Sequence, residues 1–188
     1  MEFVRIVALC VVAAVVYGIV HDQVTARVCV EYFTIGHAPV FDTADPTLLG
    51  LGWGVIATWW VGLILGVALA ACAVAGRRPV FGAGRLVRPL VVMLLIVGAL
   101  AAVAGFVGHA AASVRAVWLL EPMASRVPME KHAAFLADLW AHSASYIGGF
   151  VGGVVLCVYV LVWRSRAARR LAEPPVQSSD FPDVPARP

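Results

Sequence analysis

Charged side chains are scarce in this chain of 188 residues, in which Asp, Glu, Lys and Arg together make up 13%. Soluble domains usually carry about twice that share. Hydrophobic residues reach 62% and the mean hydropathy is +0.90. Neither a water-soluble domain nor a disordered chain fits this composition. The composition therefore predicts an integral membrane protein.

Several motifs that carry well-known chemistry are missing from the sequence. Its four cysteines include no CxxC pair, which excludes the ligand set of a zinc knuckle and the pair of a thiol–disulfide relay. There is no HExxH motif, no glycine-rich phosphate loop and no GxSxG nucleophile turn. The net charge of +3 is too small to indicate nucleic-acid binding.

Long apolar runs dominate what is present, and a membrane-spanning helix needs about 20 mostly apolar residues. Four runs qualify as spans: 3–20, 48–75, 89–108 and 143–163. They predict an all-α integral membrane protein, an antiparallel four-helix transmembrane bundle with a small outer cap. The cap is formed by the outer loops 21–47 and 109–142, and 76–88 is the inner loop. We interpret the first run as a retained span, because no small-x-small signal-peptidase site precedes His21.

Two domains are predicted, a four-span membrane domain over 1–170 and a tail over 171–188. The tail contains five prolines and little that is apolar. Such a composition cannot bury enough surface to offset the entropy of folding. We expect a disordered cytoplasmic tail.

Arginine is unevenly distributed between the predicted loops. One side of the bundle carries ten basic residues: Arg5, Arg77, Arg78, Arg85, Arg88, Arg164, Arg166, Arg169, Arg170 and Arg187. The other side carries four basic and seven acidic residues. Because basic residues concentrate in cytoplasmic loops, both termini are predicted to lie in the cytoplasm. The excess of arginine over lysine is typical of a GC-rich bacterial genome, so we expect a bacterial inner (plasma) membrane.

Small residues recur at helical spacing in three of the four spans. Examples are the pairs Gly62 and Gly66, Ala101 and Gly105, and Gly148 and Gly152. In lipid, such pairs let helix backbones approach closely. They serve either packing within the chain or a homodimer, and we favour packing within the chain.

All five histidines fall on the predicted outer side: His21, His37, His109, His132 and His142. Three of them stand at span ends, namely His21, His109 and His142. A rise of about 1.5 Å per residue places these three near one plane, at the outer membrane boundary.

Carboxylates accompany the histidines at the span ends. Asp22 follows His21 directly, and Asp138 precedes His142 by one helical turn. Imidazoles with a carboxylate suit Zn, Fe, Cu or Mn, and a histidine pair from two helices suits haem. The candidate metal ligands are therefore His21, His109, His142, Asp138 and Asp22.

The first outer loop begins with a polar stripe that continues the period of span one. Arg27 and Glu31 are four residues apart and opposite in charge, which predicts a structural ion pair on a helix. As an alternative, 28–34 is rich in β-branched and aromatic residues and fits a short strand. Asp45 and Pro46 form a helix-start signal before span two, and 129–142 is expected to be a helix leading into span four.

Three classes of function compete. A structural or accessory membrane protein, with the cap as an interaction surface, is the first hypothesis. The alternative is a metal- or haem-binding membrane protein with a His/Asp site at the outer mouth of the bundle. Such a protein could also be an enzyme. A transporter or channel is disfavoured because no charged residue lies at the middle of a predicted span. The expected partners are the lipid bilayer and a second copy or another membrane protein, and no nucleic acid is expected.

Overall fold

The computed structural model describes residues 1–172, of which 80% are helical and none lies in a β-strand. The elements in chain order are α1 (Glu2–Val28), α2 (Val30–Thr34), α3 (Pro46–Ile56), α4 (Trp59–Val74), α5 (Ala83–Ser113), α6 (Met123–Arg126), a 3-10 turn (Met129–Lys131) and α7 (His132–Ala172). The predicted tail lies outside the described residues, except for its first two positions, which end α7.

Four helical stretches are long and apolar enough to cross a membrane: Glu2–Val28, Pro46–Val74, Ala83–Ser113 and Met129–Ala172. All four begin before the predicted span, and three of them continue beyond it. Helix α1 continues beyond the predicted span because 19–35 contains neither glycine nor proline to end the helix. His21 and Asp22 consequently lie inside a helix and not at its end.

The segment after α1 is helical, so the alternative of a short strand over 28–34 is wrong. Cys29 is extended, with φ −148° and ψ 95°, and it separates α1 from the five-residue helix α2. The β-branched and aromatic side chains of this segment fit a helix because they pack into the cap: Tyr32 and Phe33 are buried against Phe135 and Leu136 of α7. Tertiary packing overrides strand propensity here.

Asp45 caps the start of α3, as predicted from the Asp45–Pro46 signal. Its carboxylate accepts hydrogen bonds from the backbone N–H groups of Thr47 and Leu48, at 2.8 and 2.9 Å. The predicted second span is broken after Ile56, where α3 ends and α4 begins three residues later. At the break the hydroxyl of Thr58 donates to the carbonyl of Gly54.

Glycines let α1 approach α3 and α4 closely. A Cβ added to Gly54 would lie 2.5 Å from Cα of Ile19, and one added to Gly62 would lie 2.8 Å from Cα of Val11. On the other side of the molecule α5 lies along α7, where Gly108 faces Trp140. Of the small residues named from the sequence, Gly62, Gly105 and Gly152 thus contact other helices of the same chain.

A buried arginine closes the end of the molecule opposite the histidines. Arg164 of α7 is 1% exposed and donates to the carbonyl oxygens of Pro79, Ala75 and Arg78 at 2.8, 2.9 and 3.0 Å, and also to that of Cys72. Carbonyls at the end of a helix have no partner within the helix. Arg164 therefore satisfies the end of α4 and fastens the following loop to α7.

Candidate metal centre

Three potential metal ligands meet between α1 and α7: His21, Asp22 and His142. Each offers one ligand atom, and these three atoms lie within 4.8 Å of one another. Asp22 is 4% exposed and His142 is 9% exposed. The length of α1 beyond the predicted span places the first two residues, and α7 brings the third from 120 positions away.

Hydrogen bonding fixes the orientation of His142. Its Nδ1 lies 2.8 Å from the backbone carbonyl oxygen of Asp138, one turn earlier on α7. A carbonyl only accepts, so Nδ1 carries a proton and, in the neutral ring, Nε2 presents a lone pair. That lone pair faces Oδ1 of Asp22 at 3.2 Å. Two acceptors at this distance require a proton or a cation between them.

His21 brings a second imidazole nitrogen without a partner. Its Nε2 is buried and has no hydrogen bond, one of two such side-chain atoms within residues 1–172. The ring stands edge-on to that of His142, with centroids 4.6 Å apart, and is stacked on Tyr17. Buried polar groups are nearly always paired, so the nitrogen fits a ligand to an ion.

Aromatic side chains from the cap cover this group of residues. The ring of Tyr32 lies 4.5 Å from that of His142, and Phe33 and Phe135 surround Tyr32 at 5.5 and 5.2 Å. Burial raises the pKa of Tyr32 well above its usual range, and the carboxylate of Asp138 raises it further. The cover is therefore neutral and excludes bulk water, which strengthens electrostatic interactions beneath it.

Below the histidines lies a narrow cavity of about 100 Å³ that extends along α1 as far as Cys10. Its walls are mostly apolar. Tyr17 and Ser145 bond to each other across it, with 2.8 Å between their oxygens. The volume is enough for several water molecules. A group bound to the histidines thus has an open side that faces this cavity.

The structure does not bring every predicted ligand into the group. His109 is exposed on α5 and lies apart from the three. Asp138 is 1% exposed and contributes its backbone carbonyl to His142, while its own Oδ2 has no hydrogen bond. His37 and His132 each lie within 3.0 Å of a backbone carbonyl oxygen in the cap, which accounts for both as structural residues.

Arg27 and Glu31 are not paired in the structure, contrary to the expected ion pair. The helix on which they were placed ends at Val28, and the extended Cys29 turns Glu31 away. Arg27 donates to Gln23 and Thr47, while Glu31 lies 3.4 Å from Nζ of Lys131. The ion pair between Glu31 and Lys131 thus links α2 to the 3-10 turn that precedes α7.

The surroundings of Cys29 and Glu31 determine the protonation states of these two side chains. Burial raises the pKa of Cys29 to about 12, so the thiol stays protonated and donates to Oε2 of Glu31 at 3.4 Å. Burial also acts to raise the pKa of Glu31, but hydrogen bonds and Lys131 outweigh it and leave that pKa below its usual value. Glu31 is therefore ionised at neutral pH.

One distance in the group matches that expected around a metal ion, and all three ligand atoms lie within 4.8 Å of one another. Bonds of about 2.0–2.1 Å around a tetrahedral ion place two ligand atoms about 3.3 Å apart, close to the 3.2 Å between Asp22 Oδ1 and His142 Nε2. Two imidazoles and one carboxylate suit Zn, Fe, Mn or Cu. Haem fits poorly, because a macrocycle between the two rings needs them farther apart than the 4.6 Å between their centroids.

Sequence reasoning missed two parts of the site. Tyr32 was treated as part of a candidate strand, although it covers His142. Ser145, three positions after His142, was given no role, although it anchors Tyr17. The period-four stripe of Tyr17, His21 and Thr25 was the available signal, since it places Tyr17 on the same face of α1 as His21.

Comparison of the chain with protein-family models, with curated proteins and with solved structures finds no match in any of the three.

Proposed function

We propose that the chain is a four-span protein of a bacterial inner membrane that holds one divalent transition-metal ion through His21, Asp22 and His142. Support for the membrane comes from the four apolar helical stretches. Support for the orientation comes from the ten basic residues on one side of the bundle, which favour cytoplasmic termini and an antiparallel order of the spans. The metal centre then lies at the outer mouth, beneath the cap.

The observation that carries the metal proposal is a pair of imidazoles beside a buried carboxylate, each with a ligand atom within 4.8 Å of the others. Nε2 of His21 has no partner, and Nε2 of His142 faces Asp22 with its lone pair. Placing a cation among them satisfies the nitrogen of His21, neutralises Asp22 and removes the conflict between two acceptors. Histidine ligands whose other nitrogen bonds a backbone carbonyl, as His142 does, are typical of metal sites.

Three protein ligands leave a coordination position free. A zinc ion held by three ligands keeps water or substrate in its fourth position and lowers the pKa of that water. Here the free position faces the cavity beside Tyr17 and Ser145. The reaction class that fits this arrangement is metal-assisted attack by water, or binding of an oxygen atom of a substrate.

The test is metal analysis of the full-length protein purified in detergent. The protein is stripped with a chelator, reloaded with Zn²⁺, Fe²⁺ or Co²⁺, freed of unbound metal and assayed by mass spectrometry for metal per chain. We expect about one ion per chain in the wild type and a loss of that ion in His21→Ala and His142→Ala. The matched controls are His109→Ala and His132→Ala, which should retain the metal.

Cobalt supplies a second readout, because its absorption spectrum reports the ligand geometry. Wild-type protein that stays free of metal with all three ions would overturn the proposal and favour the accessory hypothesis, with the cap as an interaction surface. Equal metal content in the His142→Ala and His132→Ala variants would place the ion elsewhere and also contradict the proposal.

A further inference from the structure

A groove of about 490 Å³ runs along the outside of α1, α5 and α7. One wall is formed by α1 from Val20 to Val28, and the opposite wall by α5 from Gly98 to His109. His21 and Tyr17 line both this groove and the internal cavity, so His21 stands between the two. The groove thus reaches the proposed metal centre from the side of the helices.

The groove has the length of one membrane leaflet. The 11 residue steps from Gly98 to His109 correspond to about 16 Å of helix, which is about half of a hydrocarbon core about 30 Å thick. Its apolar walls are open, with Val24 61% and Phe106 76% exposed. Exposed apolar surface of this extent in a membrane protein faces hydrocarbon and not water.

Small residues make the groove possible. Ala101, Ala102 and Gly105 form its floor on α5, and a Cβ added to Gly98 would meet only Tyr17, at 3.6 Å. Helix α5 lies along α7 over much of its length and meets α1 over far less of it. The sparse contact between α1 and α5 leaves the groove between them.

Five polar side chains line the groove: Tyr17, His21, Thr25, His109 and Asp138. Asp138 is 1% exposed, and its Oδ2 has no hydrogen bond. His21, whose Nε2 is the proposed metal ligand, also lines the groove, and the exposed His109 lies at the rim. An unpaired buried carboxylate oxygen is costly, and a hydroxyl group donated by a ligand would satisfy it.

We propose that the groove binds a single-chain lipid alcohol from the bilayer, with its hydrocarbon chain between α1 and α5 and its hydroxyl donating to Asp138. The proposal rests on the proposed metal centre in one respect, because His21, which also lines the groove, would hold the ion near the hydroxyl. It names the substrate class of that centre.

Photolabelling of the reconstituted protein tests this proposal. The probe is a long-chain alcohol with a diazirine near the end of its chain, added to phosphatidylcholine vesicles that contain the full-length protein. Labelled positions are mapped by mass spectrometry. We expect labels concentrated on 20–28 and 98–109, and strong competition by the unlabelled alcohol.

Variants on neighbouring positions of one helix provide the control. Ala102→Phe fills the groove from an exposed position, and labelling should fall at least about fivefold because the ring occupies the path of the chain. Val103→Phe adds a ring to a residue that is 61% exposed and outside the groove, and labelling should persist. Uniform labelling of all exposed apolar faces, unaffected by Ala102→Phe, would overturn the proposal, as would a cross-link showing that a second copy fills the groove.

The hydroxyl is tested by a matched alkane probe that lacks it. The alcohol should label the groove more strongly than the alkane in the wild type, and the preference should disappear in Asp138→Leu, provided that this variant elutes as a single species. An equal response to both probes in the wild type would contradict the hydroxyl assignment.

Metal content measured on the same samples separates the two proposals. Ala102→Phe should retain its metal while it loses the label. Metal-free protein with a labelled groove would defeat the metal centre and leave lipid binding standing. Metal-loaded protein without specific labelling would defeat lipid binding alone.

Discussion

Nε2 of His142 lies 3.2 Å from Oδ1 of Asp22, and the opposite nitrogen of the same ring is held by the backbone carbonyl of Asp138. The protonated Nδ1 turns the lone pair of the neutral ring towards a carboxylate. The chain has thus placed two acceptors against each other in a site that is covered by Tyr32. This arrangement needs a proton or a cation between the two atoms, and a bound metal ion would supply the cation.

Substitution of Asp22 by asparagine should therefore act in opposite directions on metal binding and on folding. The new side-chain amide would donate to Nε2 of His142, and one buried carboxylate next to Asp138 would be removed. We expect metal-free Asp22→Asn to be at least as stable to heat in detergent as the metal-free wild type. Its affinity for Zn²⁺ should fall at least about a hundredfold, because loss of a ligand costs more than loss of an outer partner.

The control for this prediction is Asp42→Asn, which changes an exposed carboxylate of the cap loop. It should leave zinc affinity and melting temperature unchanged. A metal-free Asp22→Asn protein that is much less stable than the wild type would show that the 3.2 Å contact is an ion pair with protonated His142, and the acceptor conflict would not exist.

The sequence predicts the position of a residue along the helix axis better than the side of the helix on which its side chain lies. His21, His109 and His142 were placed at one level by counting residues, but about 100° of rotation per residue decides which of them face each other. The structure brings His21 and His142 together and leaves His109 on the groove side. The cover was missed for another reason, because the strand-like residues Val30–Thr34 form the helix α2, whose Tyr32 and Phe33 pack against α7.

The contact between Glu31 and Lys131 should make the stability of the cap depend on pH. The pKa of Glu31 is lower in the folded protein than its usual value, so its stabilising contribution is present at neutral pH. That contribution is lost as the pH falls through the lowered pKa. We expect Glu31→Gln to destabilise the cap at pH 7 by at most about 1 kcal/mol, because Lys131 is partly exposed.

Thermal unfolding in detergent at pH 7 and at pH 3, for wild type and Glu31→Gln, measures this effect. The difference between the two proteins should shrink at the lower pH. Glu130→Gln, next to the same lysine, is the control and should show no difference at either pH. A difference in melting temperature between wild type and Glu31→Gln that grows at the lower pH would contradict a stabilising contact between ionised Glu31 and Lys131.

Arg164 should be a major determinant of stability at the end of the molecule opposite the histidines. Its side chain satisfies four backbone carbonyls, and Arg164→Ala would leave buried acceptors without donors. We expect a loss of at least about 2 kcal/mol, seen as a lower melting temperature in detergent. Arg164→Lys should recover only part of it, because an ammonium lacks the planar fork of donors. Arg166→Ala, at an exposed position on the same helix, should change the melting temperature little. An equal loss of stability in Arg164→Ala and Arg166→Ala would contradict the importance of the buried hydrogen bonds of Arg164.

Two glycine substitutions should have opposite effects because their surroundings differ. In Gly54→Ala the new Cβ would lie 2.5 Å from Cα of Ile19, so α1 and α3 must separate, at a cost of about 1–3 kcal/mol. Gly149 of α7 has no neighbour within 4 Å of an added Cβ. Gly149→Ala should therefore stabilise by about 0.5–1 kcal/mol, as alanine does in a helix interior.

Melting temperatures of Gly54→Ala and Gly149→Ala in the same detergent measure these opposite effects on stability. Metal content provides a second measurement. Because Gly54 packs on α1 immediately before His21 and Asp22, Gly54→Ala should also lower zinc affinity, whereas Gly149→Ala should not. Equal stability of the two variants would mean that α1 and α3 are not in close contact in the folded protein. A loss of stability in Gly149→Ala alone would instead indicate that this glycine contacts a second copy, since its surroundings within the chain are open.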